Sequence, residues 1–428
     1  MIKRILYTLL IMFPVLASAQ INTDRVMAIG RNALYFEDYV LSIQYFNQVI
    51  NAKPYLSDPY FYRGLAKINL DDFQGAESDC SEAIERNPFV VSAYQVRGLA
   101  RIQQNNFAGA IEDYTKALEF DPENIGVWHN MALCRIRQED YKGAKNDLDK
   151  LIAISPRYTK AYLMRGEVDL KQKDTLAAEK DFGKAIEIDR YDADTWASRA
   201  ILRLQQQRYK DAEADFDHAI RLSTRNSGVY INRALARYHQ NNLRGAMSDY
   251  DIALDIDPNN FIGHYNRGLL RAQVGDDNRA IQDFNFVIEM EPDNMMAIFN
   301  RGLLLDQTGD YKGAIKDYST VINEYPNFLL GYQYRAQARR KIGDVKGADA
   351  DEFKVLKAQL DKQNGVDPNK QTADNTENNK TRKKSDKNMN NYRKIVVADN
   401  EEGEEKYKSD YRGRVQDKNV NIVPQPMF

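Results

Sequence analysis

A single period governs this chain: segments of 34 residues follow one another without a gap from residue 23 to residue 362. The stretches RGLARIQQNNFAGAIEDYTKALEFDP from Arg97, NRALARYHQNNLRGAMSDYDIALDIDP from Asn232 and NRGLLLDQTGDYKGAIKDYSTVINEYP from Asn300 align column by column. Self-similarity at this spacing means one small supersecondary unit, too short to bury its apolar face alone and stable only when stacked on copies of itself. The chain is 43% apolar and 29% charged, enough apolar material for ten such copies. A single closed core of that size would show no reason to repeat.

With Thr23 at position 1, position 8 is glycine or alanine in every copy, from Gly30, Gly64 and Gly98 to Gly302 and Ala336. Position 20 is alanine from Ala76 to Ala348, with Ser42 in the first copy. Two small columns at fixed spacing predict two helices per repeat crossing closely, since a larger side chain would force their axes beyond the usual ~8–10 Å. Position 32 is proline in seven copies, among them Pro54, Pro122 and Pro258, where a fixed φ and a missing N–H stop the second helix. Arg190 and Thr224 depart from that pattern, so the joints there are expected to be set less sharply. Asn105-Asn106, Asn241-Asn242, Gly309-Asp310 and Gly343-Asp344 supply the turn between the two helices. Apolar residues such as Phe284, Val287 and Ile288 recur at helical spacing, so both halves read as amphipathic helices.

These columns resemble the tetratricopeptide repeat (TPR), and the resemblance covers about four fifths of the chain. It implies an all-α fold, a right-handed TPR α-solenoid of about ten helix-turn-helix repeats. It also implies a concave groove that binds other proteins or peptides, with no enzymatic activity and no cofactor.

Two charged columns face each other across each repeat. Position 7 is arginine in eight copies, including Arg63, Arg97, Arg165, Arg233 and Arg335, and position 23 is aspartate in nine, from Asp79 to Asp351. A further arginine often stands at position 11, as in Arg101 and Arg271. Matched opposite charges in register favour a structural arginine–carboxylate pair, bidentate within a repeat or to its neighbour, over a charged binding stripe. Such pairs set spacing more than they add net stability.

Position 6 carries Asn130, Asn232, Asn266 and Asn300. This resembles the asparagine ladder in the TPR superhelix of O-linked N-acetylglucosamine transferases, whose amides hold the backbone of an extended peptide. An amide offers donor and acceptor to a peptide of any sequence; the competing reading is a solvated polar face. The same groove is expected to present Phe61, Tyr265 and Phe299 at position 5, with Gln103, Gln205, Gln273 and Gln307 at position 13. Leucine dominates position 9 and lysine is absent from position 5, so the lysine and asparagine clamp some family members use for a C-terminal carboxylate is missing.

Catalytic and metal chemistry finds no residue set. His129, His218, His239 and His264 fall at different repeat positions with no acidic or cysteine partner at ligand spacing. Cys80 and Cys134 fall at packing positions two repeats apart, which favours burial as small apolar side chains over a disulfide. A formal net charge of −2 gives no footprint for nucleic acid or for an anionic membrane.

The ends differ from the array. Lys3 and Arg4, an apolar run from Ile5 to Leu16 and Ala17-Ser18-Ala19 read as a signal peptide over residues 1–19, cleaved after Ala19. The run is short for a membrane span, so the mature protein is expected to be exported, periplasmic or secreted. Residues 363–428 form a charged, asparagine-rich tail expected to be largely disordered. Two β-prone pieces within it, Ile395 to Val397 and Val420 to Val423, offer strand addition to a partner or docking on the solenoid. The expected function is an exported scaffold holding extended segments of other proteins. The alternative is a regulatory or targeting subunit of an envelope enzyme that uses the tail as its contact.

Overall fold

In a computed structural model the described residues are 22–222, 225–363, 389 and 392–395, with the side chain of Lys362 excepted. The proposed leader, Thr224 and most of the tail lie outside them. The described residues form twenty α-helices and no strand. Each repeat folds as two antiparallel helices, as the two small columns predict.

The chain divides into two compact units, one running to Asp189 and the other from Arg190 to Glu404. The first holds five helix pairs, from Thr23–Tyr35 with Tyr39–Ala52 to Thr159–Lys171 with Thr175–Ile188. The second holds five more, from Ala193–Gln205 with Tyr209–Arg221 to Leu329–Lys341 with Val345–Gln363.

The turn inside each pair is built the same way ten times. Position 15 always has a left-handed backbone: Glu37, Asp71, Asn105, Glu139, Lys173, Gln207 and Asn241, then Gly275, Gly309 and Gly343. The next residue caps the second helix in most pairs; Asp72 accepts from the Gly75 amide, Asp140 from Gly143 and Asn242 from Gly245. An aspartate or asparagine there satisfies one of the amides a helix start leaves without an intrahelical partner.

The position-20 alanines from Ala76 to Ala348 are fully buried where the two helices cross. Position 24 fills the space beside them with Phe46, Tyr114, Phe182, Phe216, Tyr250, Phe284 and Tyr318. These rings explain the small column at position 8: a Cβ on Gly98 would lie 2.7 Å from the Tyr114 ring. Cys80 and Cys134 are buried and unbonded, and burial pushes both thiols up, Cys134 to about 12.

One hydrogen bond of the proline-bearing repeats is kept at Arg190. Trp196 Nε1 donates to the Arg190 carbonyl at 3.0 Å, the bond that Trp128 makes to Pro122 and Tyr162 to Pro156.

The charged columns meet as pairs. Arg165 grips Asp181 with two bonds of 2.6 and 2.7 Å, and Arg233, Arg301 and Arg335 hold Asp249, Asp317 and Asp351 in the same fork. The third arm of the guanidinium reaches the second helix of the preceding repeat. Arg97 Nη1 donates to Ser81, Arg165 to Asp149, Arg233 to Asp217 and Arg301 to Asn285. One planar side chain thus ties three helices, a geometry lysine cannot reproduce.

Repeat four is the exception. Met131 stands at its arginine position, and among the described residues Arg135 is the only cation paired with Asp147, at 2.7 Å. Burial pushes the Asp147 carboxyl up to about 6, and the Arg135 charge and hydrogen bond only partly offset it.

Candidate functional site

The residues expected to line one groove are placed in three different settings. Phe61 and Asn130 belong to the first unit, and both are half-buried. Gln103, exposed, also belongs to the first unit, and Gln205, exposed, ends the helix Ala193–Gln205, while the remaining expected residues lie on the first helices of consecutive pairs of the second unit: Ser227–His239, Phe261–Gln273 and Met295–Thr308. Gln273 is exposed and accepts from the Tyr238 hydroxyl at 2.8 Å, and Gln307 is exposed at the end of its helix.

The amide column is deeper than an open polar face. Asn232 and Asn266 are 0% exposed and Asn300 is 5% exposed. Asn300 joins Tyr265 and Phe299 in one seat, and that seat is occupied by the chain's own tail. The Tyr265 hydroxyl donates to the Tyr392 carbonyl at 2.8 Å, and the Asn300 amide donates to the same oxygen at 2.5 Å. Asn300 also donates to the Met296 carbonyl of its own helix at 2.9 Å. A carbonyl oxygen has two lone pairs, and the seat addresses both.

Apolar contacts flank this polar point. The Tyr392 ring stands edge-on to Phe299 with centroids 4.8 Å apart, a favoured aromatic arrangement. Phe299 in turn touches Tyr318, Phe328 and Tyr334. Met389 is buried in the same cluster, among residues that include Tyr265, Met295 and Met296. Three residues beyond Tyr392, Ile395 packs against the cluster of Ala197, Leu204, Phe216 and Leu235. A cleft of about 340 Å³ remains beside it, lined by Gln205, Tyr209, Tyr238, His239, Arg393 and Lys394 among others.

Sequence reasoning identified Tyr265, Phe299 and Asn300 and offered docking of the Ile395 piece on the solenoid as one alternative, but missed Tyr334, Met296, Met389 and Tyr392 as parts of the seat. A signal was present, since Met389, Tyr392 and Ile395 are apolar residues spaced by three within polar surroundings. The histidine reading needs one correction. His264 does have an acidic neighbour, because its Nδ1 lies 3.0 Å from Asp283 Oδ1 inside the arginine–aspartate network, with Nε2 3.0 Å from the Pro258 carbonyl. The partner is 19 residues away, on the second helix, so no short-range spacing reveals it.

Family models described as TPR repeat match residues 98–134, and models described as tetratricopeptide repeat match residues 125–158, 159–192, 198–261 and 265–327. The chain belongs to the tetratricopeptide-repeat family. As a tetratricopeptide-repeat fold it is a protein–protein interaction scaffold of a type that is typically non-enzymatic. No curated protein sequence matches it.

Similar solved structures include a tetratricopeptide repeat protein from Parabacteroides merdae (21% identity, 58% of this chain and 98% of that one, TM-score 0.46). Another is the C-terminal part of a TPR repeat-containing protein from Cytophaga hutchinsonii (18% identity, 55% and 97% covered, TM-score 0.47). A third is YrrB, described as a TPR protein with an unusual peptide-binding site (20% identity, 43% and 95% covered, TM-score 0.36). No helix among the described residues is long and apolar enough to cross a membrane.

Proposed function

We infer that this protein is an exported scaffold whose second unit binds extended segments of other proteins. The observation that carries this reading is the convergence of the Tyr265 hydroxyl and the Asn300 amide on a single main-chain carbonyl. Two donors aimed at a backbone oxygen recognise a peptide whatever its side chains, and the aromatic wall around Phe299 adds apolar contact. Extended-peptide recognition divides labour in this way, with main-chain bonds for affinity and side-chain pockets for selection. Export rests on the basic, apolar and small-residue succession of residues 1–19.

The test is affinity capture from the exported fraction, with mass spectrometry, using tagged full-length protein beside a Tyr265→Phe/Asn300→Ala variant. Partners captured by the wild type and lost by a variant with an unchanged circular dichroism spectrum support the groove. Identical partner lists exclude it. The intact mass of the recovered protein checks export separately, because cleavage after Ala19 leaves Gln20 as the first residue.

A further inference from the structure

Five residues of the tail, and no more, are described beyond Gln363, and all five lie in the second unit. Their placement follows one rule. Met389 sits in the Tyr265 and Met296 cluster, Tyr392 gives its ring to Phe299 and its carbonyl to Tyr265 and Asn300, and Ile395 reaches the Trp196 and Leu204 cluster. Arg393 and Lys394 are exposed between the last two contacts. Met389, Tyr392 and Ile395 thus lie against the solenoid, while the basic pair is in water. The segment makes the contacts of a bound peptide while being part of the chain.

We propose that the seat around Asn300 selects segments with an unbranched apolar residue, an aromatic residue three places later and a branched aliphatic residue three places after that. Met389, Tyr392 and Ile395 form the resident copy of that ligand, and an external segment must displace it. This deepens the groove reading above and rests on it. The chemistry fixes each place. Met389 enters a cluster already holding Met295 and Met296, where a flexible thioether fills irregular space. The aromatic place is set by the perpendicular contact with the Phe299 ring, and the aliphatic place by alanine, leucine and phenylalanine side chains. A tethered ligand competes at an effective concentration on the order of 1 mM. With an intrinsic dissociation constant of about 0.1 mM for the tail segment itself, the tail lowers the apparent affinity of any external segment roughly tenfold.

The experiment uses a fluorescent synthetic peptide covering residues 387–397 and measures anisotropy on titration with full-length protein. Three proteins are compared: wild type, a tail variant Tyr392→Ala/Ile395→Ala, and the tail variant carrying Asn300→Ala as well. The expected result is that the tail variant binds the probe about tenfold more tightly than wild type, and that adding Asn300→Ala removes the gain. A Tyr392→Phe tail, which keeps ring and carbonyl, should behave as wild type. Equal affinity for wild type and the tail variant overturns the resident-ligand proposal. Absence of probe binding to the tail variant overturns the selection rule. Partner capture by that same variant separates the two levels. Partners retained without probe binding refute only the rule, whereas loss of both refutes the groove itself.

Discussion

Asp147 offers a quantitative test of the arginine columns, because it is the one aspartate of its column without the forked arginine at position 7. Met131 takes the place of the forked arginine, and burial holds the carboxyl at about 6. An unfolded aspartate titrates near ~3.9. The native state therefore binds this proton more tightly than the unfolded state does. The resulting stability is fully present below about pH 4 and is lost as pH rises through the native value of about 6. The shift corresponds to at most ~3 kcal/mol, and the partial water contact of Arg135 reduces the expected effect to ~1–2 kcal/mol. Asp147→Asn, an uncharged isostere, should match wild type at about pH 4 and exceed it by ~1–2 kcal/mol at about pH 7.5.

Asp283 provides the control of opposite sign. Burial pushes its carboxyl up, but hydrogen bonds from His264 and Arg267 and the charges of Arg267 and Arg271 outweigh it, leaving the group below the usual carboxylate range. Its stability is present above the unfolded value and lost as pH falls. Asp283→Asn should thus cost ~3–5 kcal/mol at about pH 7.5, because Arg267 and Arg271 lose the buried carboxylate they share. Stability in a repeat array is a sum of local terms, so each variant needs a local readout. Guanidinium unfolding of the first unit can be followed by Trp128, which packs on the cluster of Ala144 and Leu148, in a Trp196→Tyr background. Hydrogen exchange of the helix Asp277–Met290 serves the second. The reasoning fails if Asp147→Asn is less stable than wild type at the higher pH, or if both variants follow one pH profile.

Three further outcomes are expected. Lys173 holds the left-handed turn position with a φ of 65°, where any residue but glycine is strained; Lys173→Gly should raise the unfolding free energy by about 1 kcal/mol, and a loss of stability in chemical denaturation would contradict this. The Tyr250 hydroxyl is buried with no partner among the described residues, so Tyr250→Phe should be neutral or gain ~1 kcal/mol, and a fall in thermal midpoint of several degrees would show a hidden partner. Burial raises both thiols, so Cys80 and Cys134 should resist alkylation at about pH 8 in native protein and react fully in denaturant; rapid native labelling seen by mass spectrometry would refute their burial.

The fold was legible because its determinants repeat. Gly98, Ala110 and Pro122 each recur at the period, so ten weak signals become one strong one. The arginine–aspartate fork was legible for the same reason, since both partners keep their identity. Its third arm was not, because the acceptor is Asn47 in one repeat, Ser81 in the next and Asp149 further on. Hydrogen-bonding capacity is preserved there while residue type is not, and a column of letters hides it. The depth of Asn232 and Asn266 also escaped notice: register tells which way a side chain points, but not what lies over it. The tail was least legible of all, because Met389, Tyr392 and Ile395 occur once and have no second copy to align with.

The bonds of the Asn300 amide bear on how long any occupant stays. One partner, the Met296 carbonyl, lies within the helix, while the amide also reaches the Tyr265 hydroxyl at 3.4 Å and the Tyr392 carbonyl. When the outer bond breaks, the amide keeps its inner partner and its rotamer, and water entering the emptied seat can take the remaining proton. Vacating the seat breaks two bonds to the Tyr392 carbonyl, from Tyr265 and from Asn300, and with water taking both donors the net loss at this point is ~2 kcal/mol. A latch built this way favours rapid turnover of its occupants over permanent capture.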